Sequence, residues 1–206
     1  SGRTVNIGLK PFTLIGATTR SGLLTAPMRE RFGIQFHLEF YSTDELAQIL
    51  RRSAAKLKVP ADEAALTAIA RRSRGTPRIA NRLLKRTRDY AQVRADGRLT
   101  TQVVEQALSL LGIDELGLDD LDRALLNSLI RTYRGGPAGI EALAATLGQE
   151  RDTLEDVVEP YLLQIGFLIR TRQGRCATQA AYEHLGLPYV PPTLGPESQS
   201  NLFDEA

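Results

Sequence analysis

The chain has 206 residues, 42% hydrophobic and 24% charged, with a formal net charge of +2. That is the composition of an ordinary soluble globular protein with room for one large domain or two small ones; no apolar run nears the ~18 residues of a membrane-spanning helix and no signal peptide is legible, so a cytoplasmic protein is expected. The single cysteine, Cys176, excludes a disulfide framework, and with only His37 and His184 beside it no metal site is expected.

The charge is unevenly spread: residues 1–42 carry net +3, residues 43–111 net +7 and residues 112–206 net −8. Arginine supplies 22 of the 26 positive charges; its planar, always-charged guanidinium suits phosphate, although a solvated basic face would look the same.

In chain order, Val5, Ile7 and Leu9 alternate with polar or small residues and predict a half-buried strand. Phe12-Thr-Leu-Ile15 predicts a short buried strand, ended by Gly16-Ala-Thr-Thr-Arg20. Small and hydroxyl residues at such a strand end are where α/β folds place ligand contacts. Ala26–Arg31 predicts a short helix with Pro27 at its start, and Ile34, Phe36, Leu38 and Phe40 alternate as a further strand.

A helical block follows. Ser42 and Thr43 offer an N-cap before Asp44 and Glu45, and Leu46, Ile49, Leu50 and Leu57 form a helical stripe. Pro60 and Asp62 begin a second helix, stopped by Gly75-Thr76-Pro77; a third begins at Pro77 and a fourth near Thr100. Leu110-Leu-Gly-Ile-Asp-Glu115 resembles a magnesium-holding strand end, but it follows a helix and reads as an acidic interdomain linker.

The third block has helices around Leu121–Ile130, Ile140–Leu147 and Leu154–Ile165. A strand over Phe167–Thr171, a turn over Arg172–Arg175 with Gly174 at its tip and a return strand over Cys176–Thr178 complete a winged-helix pattern. Residues 189–206 read as a disordered tail. The fold class is therefore mainly α with minor β. Glu150, Asp152, Glu155, Asp156 and Glu159 make the third helix of this block acidic, and they would repel phosphate. Arg170, Arg172 and Arg175 on the wing are better candidates for the DNA backbone; the alternative is that they pair with acids of their own domain.

Three stretches stand out in combination: Phe12-Thr-Leu-Ile-Gly-Ala-Thr-Thr-Arg20, Pro27-Met-Arg-Glu-Arg-Phe-Gly33 and Arg74-Gly-Thr-Pro-Arg-Ile-Ala-Asn-Arg-Leu-Leu84. With Gly135-Gly-Pro, Glu159-Pro-Tyr161 and Gly174-Arg175 they resemble the RuvB family of AAA+ ATPases, over about residues 1–188. The resemblance implies the end of an AAA+ α/β core over 1–42, a four-helix lid over 43–116 and a winged-helix DNA-binding domain over 117–188. It implies a DNA helicase driving Holliday junction branch migration in recombination and repair, working as a hexameric ring with RuvA and RuvC. Thr19 would orient the attacking water and Arg31, or alternatively Arg29, would be the arginine finger. Arg78, preceded by Thr76 and Pro77, would touch bound nucleotide. ATP or ADP with magnesium would be the cofactor of the complete protein. Neither the phosphate-binding loop nor its acidic partner is found in this sequence, so the chain is expected to be a C-terminal fragment that does not bind or hydrolyse ATP tightly by itself. Two rival readings stay open: a non-enzymatic winged-helix DNA-binding regulator, and a clamp-loader or replication-initiator relative.

Overall fold

A computed structural model describes residues 8, 10–18, 22 and 24–191. The chain divides into two compact units, Ser1–Glu39 and Phe40–Ala206.

In the first unit, α1 (Ala26–Glu30) is a single helical turn with Pro27 in its first two positions, where a missing N–H costs nothing. The N–H groups of Met28 and Arg29 both donate to the Thr25 carbonyl at 3.0 Å. Phe12–Ile15 and Ile34–Phe40 carry no regular secondary structure, contrary to the strands expected there. Phe12, Ile15, Ile34, Phe36 and Leu38 are exposed. Alternation specifies which face a strand would bury, but a ladder also needs a paired neighbour, and neither run has one among the described residues. The expected strand around Val5–Leu9, the residue Thr19 and the tail beyond 191 lie outside the described residues.

The second unit begins with four helices, α2 (Thr43–Lys56), α3 (Glu63–Arg71), α4 (Pro77–Arg94) and α5 (Thr101–Leu110). A capping box opens α2: Glu45 N–H donates to Ser42 Oγ at 3.3 Å, and Ser42 N–H donates to Glu45 Oε2 at 2.9 Å. The helices enclose Leu46, Leu50, Leu66, Ile69, Leu84 and Leu108. Asp62 N–H donates to Leu99 O at 2.9 Å and Leu99 N–H to Pro60 O at 2.8 Å, which pins the two interhelical loops side by side.

Beyond the linker come α6 (Asp120–Asn127), which runs into a π turn over Ser128–Thr132, and α7 (Ile140–Leu147). Next, α8 (Arg151–Thr153) continues through a second π segment, Leu154–Val158, into α9 (Glu159–Gln164). β1 (Leu168–Thr171) and β2 (Gly174–Ala177) form an antiparallel hairpin in the register Arg170↔Arg175 and Thr171↔Gly174. The turn is thus Arg172-Gln173; Gly174, expected at the tip, is the first residue of the return strand. Ala138 extends the hairpin through an isolated bridge to Arg175. A last helix, α10 (Gln179–His184), was not legible as such in the sequence and buries Ala181 and Tyr182. Leu118, Leu125, Leu129, Leu143, Leu154 and Leu168 build this second core. The fold class is mainly α with minor β, with a four-helix unit and a winged helix, as the sequence implied.

Candidate functional site

Arg78 stands in the first turn of α4 and is exposed. The helix has no acidic residue in that turn, and its N-cap, Thr76, forms no side-chain cap; the Thr76 hydroxyl donates instead to Arg74 O at 3.2 Å. First-turn N–H groups that no side chain caps, at the positive end of an 18-residue helix and beside a guanidinium, form a surface suited to an anion. Arg78 has no ion-pair partner among the described residues, and its charge opposes the helix dipole. Gly75 precedes it at φ +67°, close enough to Phe40 that an added Cβ would lie 2.7 Å from the Phe40 Cβ. The tight entry into α4 therefore requires glycine there.

Four residues before Arg78, the loop is fastened to the winged helix. Arg74 adopts φ 53°, a left-handed conformation unusual for an arginine. Its guanidinium is 12% exposed and pairs with the Asp122 carboxylate, which is 1% exposed. Arg74 Nε donates to Gly117 O at 2.9 Å, Asp119 Oδ2 lies 3.3 Å away, and the guanidinium carbon sits 4.9 Å from the centre of the Tyr161 ring. Asp122 also accepts the Asp119 N–H at 2.8 Å, closing the capping box of α6. Burial pushes the Asp122 carboxyl up to about 6, against the opposing pull of Arg74. The neighbouring Arg72 is also buried and donates to Asp114 O at 3.0 Å and to Glu105 Oε2 at 2.7 Å. In the linker, Asp114 Oδ1 accepts from Leu116 N–H at 3.0 Å and Leu118 N–H at 2.8 Å, while Oδ2 lies 2.9 Å from His184 Nε2. The expected acidic linker is therefore tied down by its own acid, and His184 is one of the groups that meet it.

On the wing, Arg170 and Arg175 pair with acids of the adjoining helix. Arg170 Nε donates to Glu159 Oε2 at 2.9 Å and its Nη2 binds the same oxygen. Arg175 Nε donates to Glu159 Oε1 at 2.6 Å and its Nη2 to Glu155 Oε1 at 2.9 Å. The Arg170 side chain remains 49% exposed, whereas that of Arg175 is 15% exposed. Arg172, at the turn, is exposed with no ion-pair partner among the described residues.

Arg29, in the last turn of α1, and Arg31, its C-cap, are both exposed. The Arg29 carbonyl accepts the Gln35 side-chain amide at 3.2 Å. The sequence did not point to Arg74, Asp122 or Glu159 as partners. The capping pattern Asp119-x-x-Asp122 is a local signal that could mark this helix start, whereas nothing local marks the arginine that meets it. No cluster of metal-ligating side chains occurs among the described residues, and no helix there is long and apolar enough to cross a membrane.

Three family models match in succession: the Holliday junction DNA helicase RuvB P-loop domain over residues 1–38, the RuvB AAA lid domain over 41–114 and the RuvB C-terminal winged helix domain over 115–186. Among solved structures, the Thermotoga maritima RuvB Holliday junction branch migration motor is 55% identical with a TM-score of 0.82, covering 88% of this chain and 60% of its own. A lysine-to-arginine variant of Thermotoga maritima RuvB is 53% identical with a TM-score of 0.84, covering 91% of this chain and 62% of its own. An alanine-to-serine variant is 54% identical with a TM-score of 0.82 over 88% of this chain and 60% of its own. The chain thus spans about three-fifths of the length of these relatives.

Proposed function

The chain belongs to the RuvB family, and from that premise we propose that it supplies the nucleotide-sensing lid and the DNA-gripping wing of an ATP-driven motor for Holliday junction branch migration. One observation carries this reading. A single compact unit holds both an exposed arginine at an acid-free helix start, Arg78, and an arginine-bearing wing.

At the nucleotide, Arg78 offers its guanidinium to a phosphate oxygen, and Thr76 and Pro77 shape the approach. ATP with magnesium, when bound, supplies the phosphoanhydride whose cleavage drives the motion. Arg31, or Arg29 two residues earlier, reaches a neighbouring subunit's nucleotide in a hexameric ring, where an arginine stabilises the charge of the transition state; Thr19 orients the attacking water. At the DNA, Arg170, Arg172 and Arg175 face the phosphate backbone. Backbone contact holds a duplex without reading its sequence, which suits a motor that must move along any sequence. RuvA and RuvC are the junction-holding and junction-resolving partners in this scheme.

The reading is tested with the full chain on fluorescent duplex and four-way-junction DNA across a salt series. Arg170→Ala and Arg172→Ala should each weaken binding and lower the salt slope by about 1, and duplexes of unrelated sequence should bind alike. An unchanged slope in both variants overturns the wing assignment. A strong preference for one sequence would instead favour the regulator reading.

A further inference from the structure

We infer that Glu159 is the positioning residue of the wing: its buried carboxylate holds Arg170 and Arg175 as one preorganised pair aimed at the DNA backbone. The inference rests on the reading that the wing contacts DNA.

Arg170 and Arg175 are directly opposite each other in the hairpin. Like charges at cross-strand positions repel, and long side chains so placed would splay apart. Glu159 is 0% exposed, and a carboxylate so buried requires ionic partners. It divides its oxygens between the two arginines: Oε2 takes Arg170 Nε at 2.9 Å, and Oε1 takes Arg175 Nε at 2.6 Å. The Arg175 backbone is pinned as well, through N–H to Ala138 O at 2.8 Å and O from Ala138 N–H at 2.9 Å. Glu155 holds the outer Nη2 of Arg175 and is itself paired with Arg151 at 3.1 Å, which reaches Glu141 at 3.1 Å. A ladder of alternating charge thus runs from the wing across α8 to α7.

With Nε and Nη2 engaged by Glu159, Arg170 keeps both Nη1 hydrogens for a phosphate, and half of its side chain faces solvent. The acidity of this helix, which argues against its lying in a groove, thereby acquires a use. Two of its acids face the wing and fix its cations, and the helix becomes a scaffold for backbone contact instead of a reader of bases.

The sign of one substitution separates positioning from simple charge. Glu159→Gln keeps the shape and makes the wing more positive. If charge alone mattered, DNA binding would tighten. If Glu159 positions the arginines, the full chain should bind duplex DNA about threefold to tenfold more weakly, the cost of re-ordering a freed long side chain. The Arg170 and Arg175 Nε–H signals, slow to exchange in the unaltered chain by NMR, should become fast. Unchanged or tighter binding by Glu159→Gln overturns the inference. If that variant fails to fold, Glu155→Gln, which weakens the second anchor of Arg175 along with the Arg151 pair and leaves Glu159 in place, should still weaken binding about twofold, with Arg151→Ala, which removes the other pair and not that of Arg175, leaving affinity closer to that of the unaltered chain; unaltered affinity in Glu155→Gln overturns the inference equally. Failure of the unaltered chain to bind any DNA overturns the DNA-contact reading itself, and this inference with it.

Discussion

Replacing Arg74 by alanine tests how the winged helix is fastened to the lid. The substitution leaves the Asp122 carboxylate, 1% exposed, without its cation, and leaves Gly117 O without the Nε–H that reaches it at 2.9 Å. The electrostatic part of the cost has a ceiling, because the folded protein can escape by protonating Asp122. Burial already holds that carboxyl up at about 6, so at pH 7 the escape costs on the order of 1 kcal/mol, which bounds the charge contribution. The orphaned carbonyl adds roughly 1–3 kcal/mol, for a total near 3 kcal/mol. The ceiling moves with pH. In the variant the folded-state value rises further above the unfolded one, so stability relative to the unaltered chain is lost as pH rises above 6, by up to about 1.4 kcal/mol per unit. At pH 5 Asp122 is already largely protonated in the folded chain, and only the hydrogen-bond part, about 2 kcal/mol, should remain. Urea denaturation of the full chain at pH 5, 7 and 8 measures this directly. A penalty below about 1 kcal/mol at pH 7, or one that does not grow between pH 5 and 8, refutes the reasoning.

Three further outcomes follow from local geometry. In Gly117→Ala the residue would keep φ +81°, with its Cβ 2.6 Å from the Arg72 carbonyl oxygen; left-handed strain and overpacking against backbone together should cost about 2–4 kcal/mol and lower Tm by roughly 10 °C in a thermal scan. Ser42→Ala removes the acceptor of the α2 capping box and should cost about 1 kcal/mol by urea denaturation, with Glu45→Gln costing less. Arg78→Ala should leave the fold intact or stabilise it by about 0.3–1 kcal/mol, since a cation in the first turn of α4 opposes the helix dipole; a destabilisation above 1 kcal/mol would mean that Arg78 is structural.

The helices of the lid were legible because their boundaries are local chemistry. Ser42 and Thr100 accept N–H groups in the first turns of α2 and α5, and Pro77 starts α4. Phe12–Ile15 and Ile34–Phe40 were misread for the converse reason: period-2 alternation describes one strand's faces and says nothing of its neighbour. Arg74–Asp122 was hidden because the partners are 48 residues apart, and nothing local selects one arginine from 22. The left-handed turn at Arg74 is equally silent, since glycine usually marks such a conformation. Glu159 could have been found. Arginines two residues before and two residues after the two-residue turn Arg172-Gln173 face each other across the hairpin, and two facing cations favour an anion between them. Glu155 and Glu159, four apart on the adjoining helix, were the available carboxylates.

The placement of these arginines constrains how the second unit can move. Within seven residues, Arg72 is tied to the linker through Asp114 O and to α5 through Glu105, Arg74 is tied to α6 through Asp122, and Arg78 alone is left exposed. The linker has little slack, because Asp114 holds two of its N–H groups and meets His184 from α10. Tyr161 of α9 donates its hydroxyl to Leu116 O, so the helix next to the wing is fastened to the same linker. Close-packed, fully bonded contacts of this kind shift as a body or break; they do not stretch. Buried contacts therefore run from the start of α4 to the winged helix through Arg74 and the linker, and from the linker to the wing through α9 and Glu159. Arg74→Ala cuts this path at its first buried contact without touching the wing. Its expected signature is lost stability with the salt slope of DNA binding unchanged, whereas Glu159→Gln should weaken DNA binding and leave the Arg74 contacts in place.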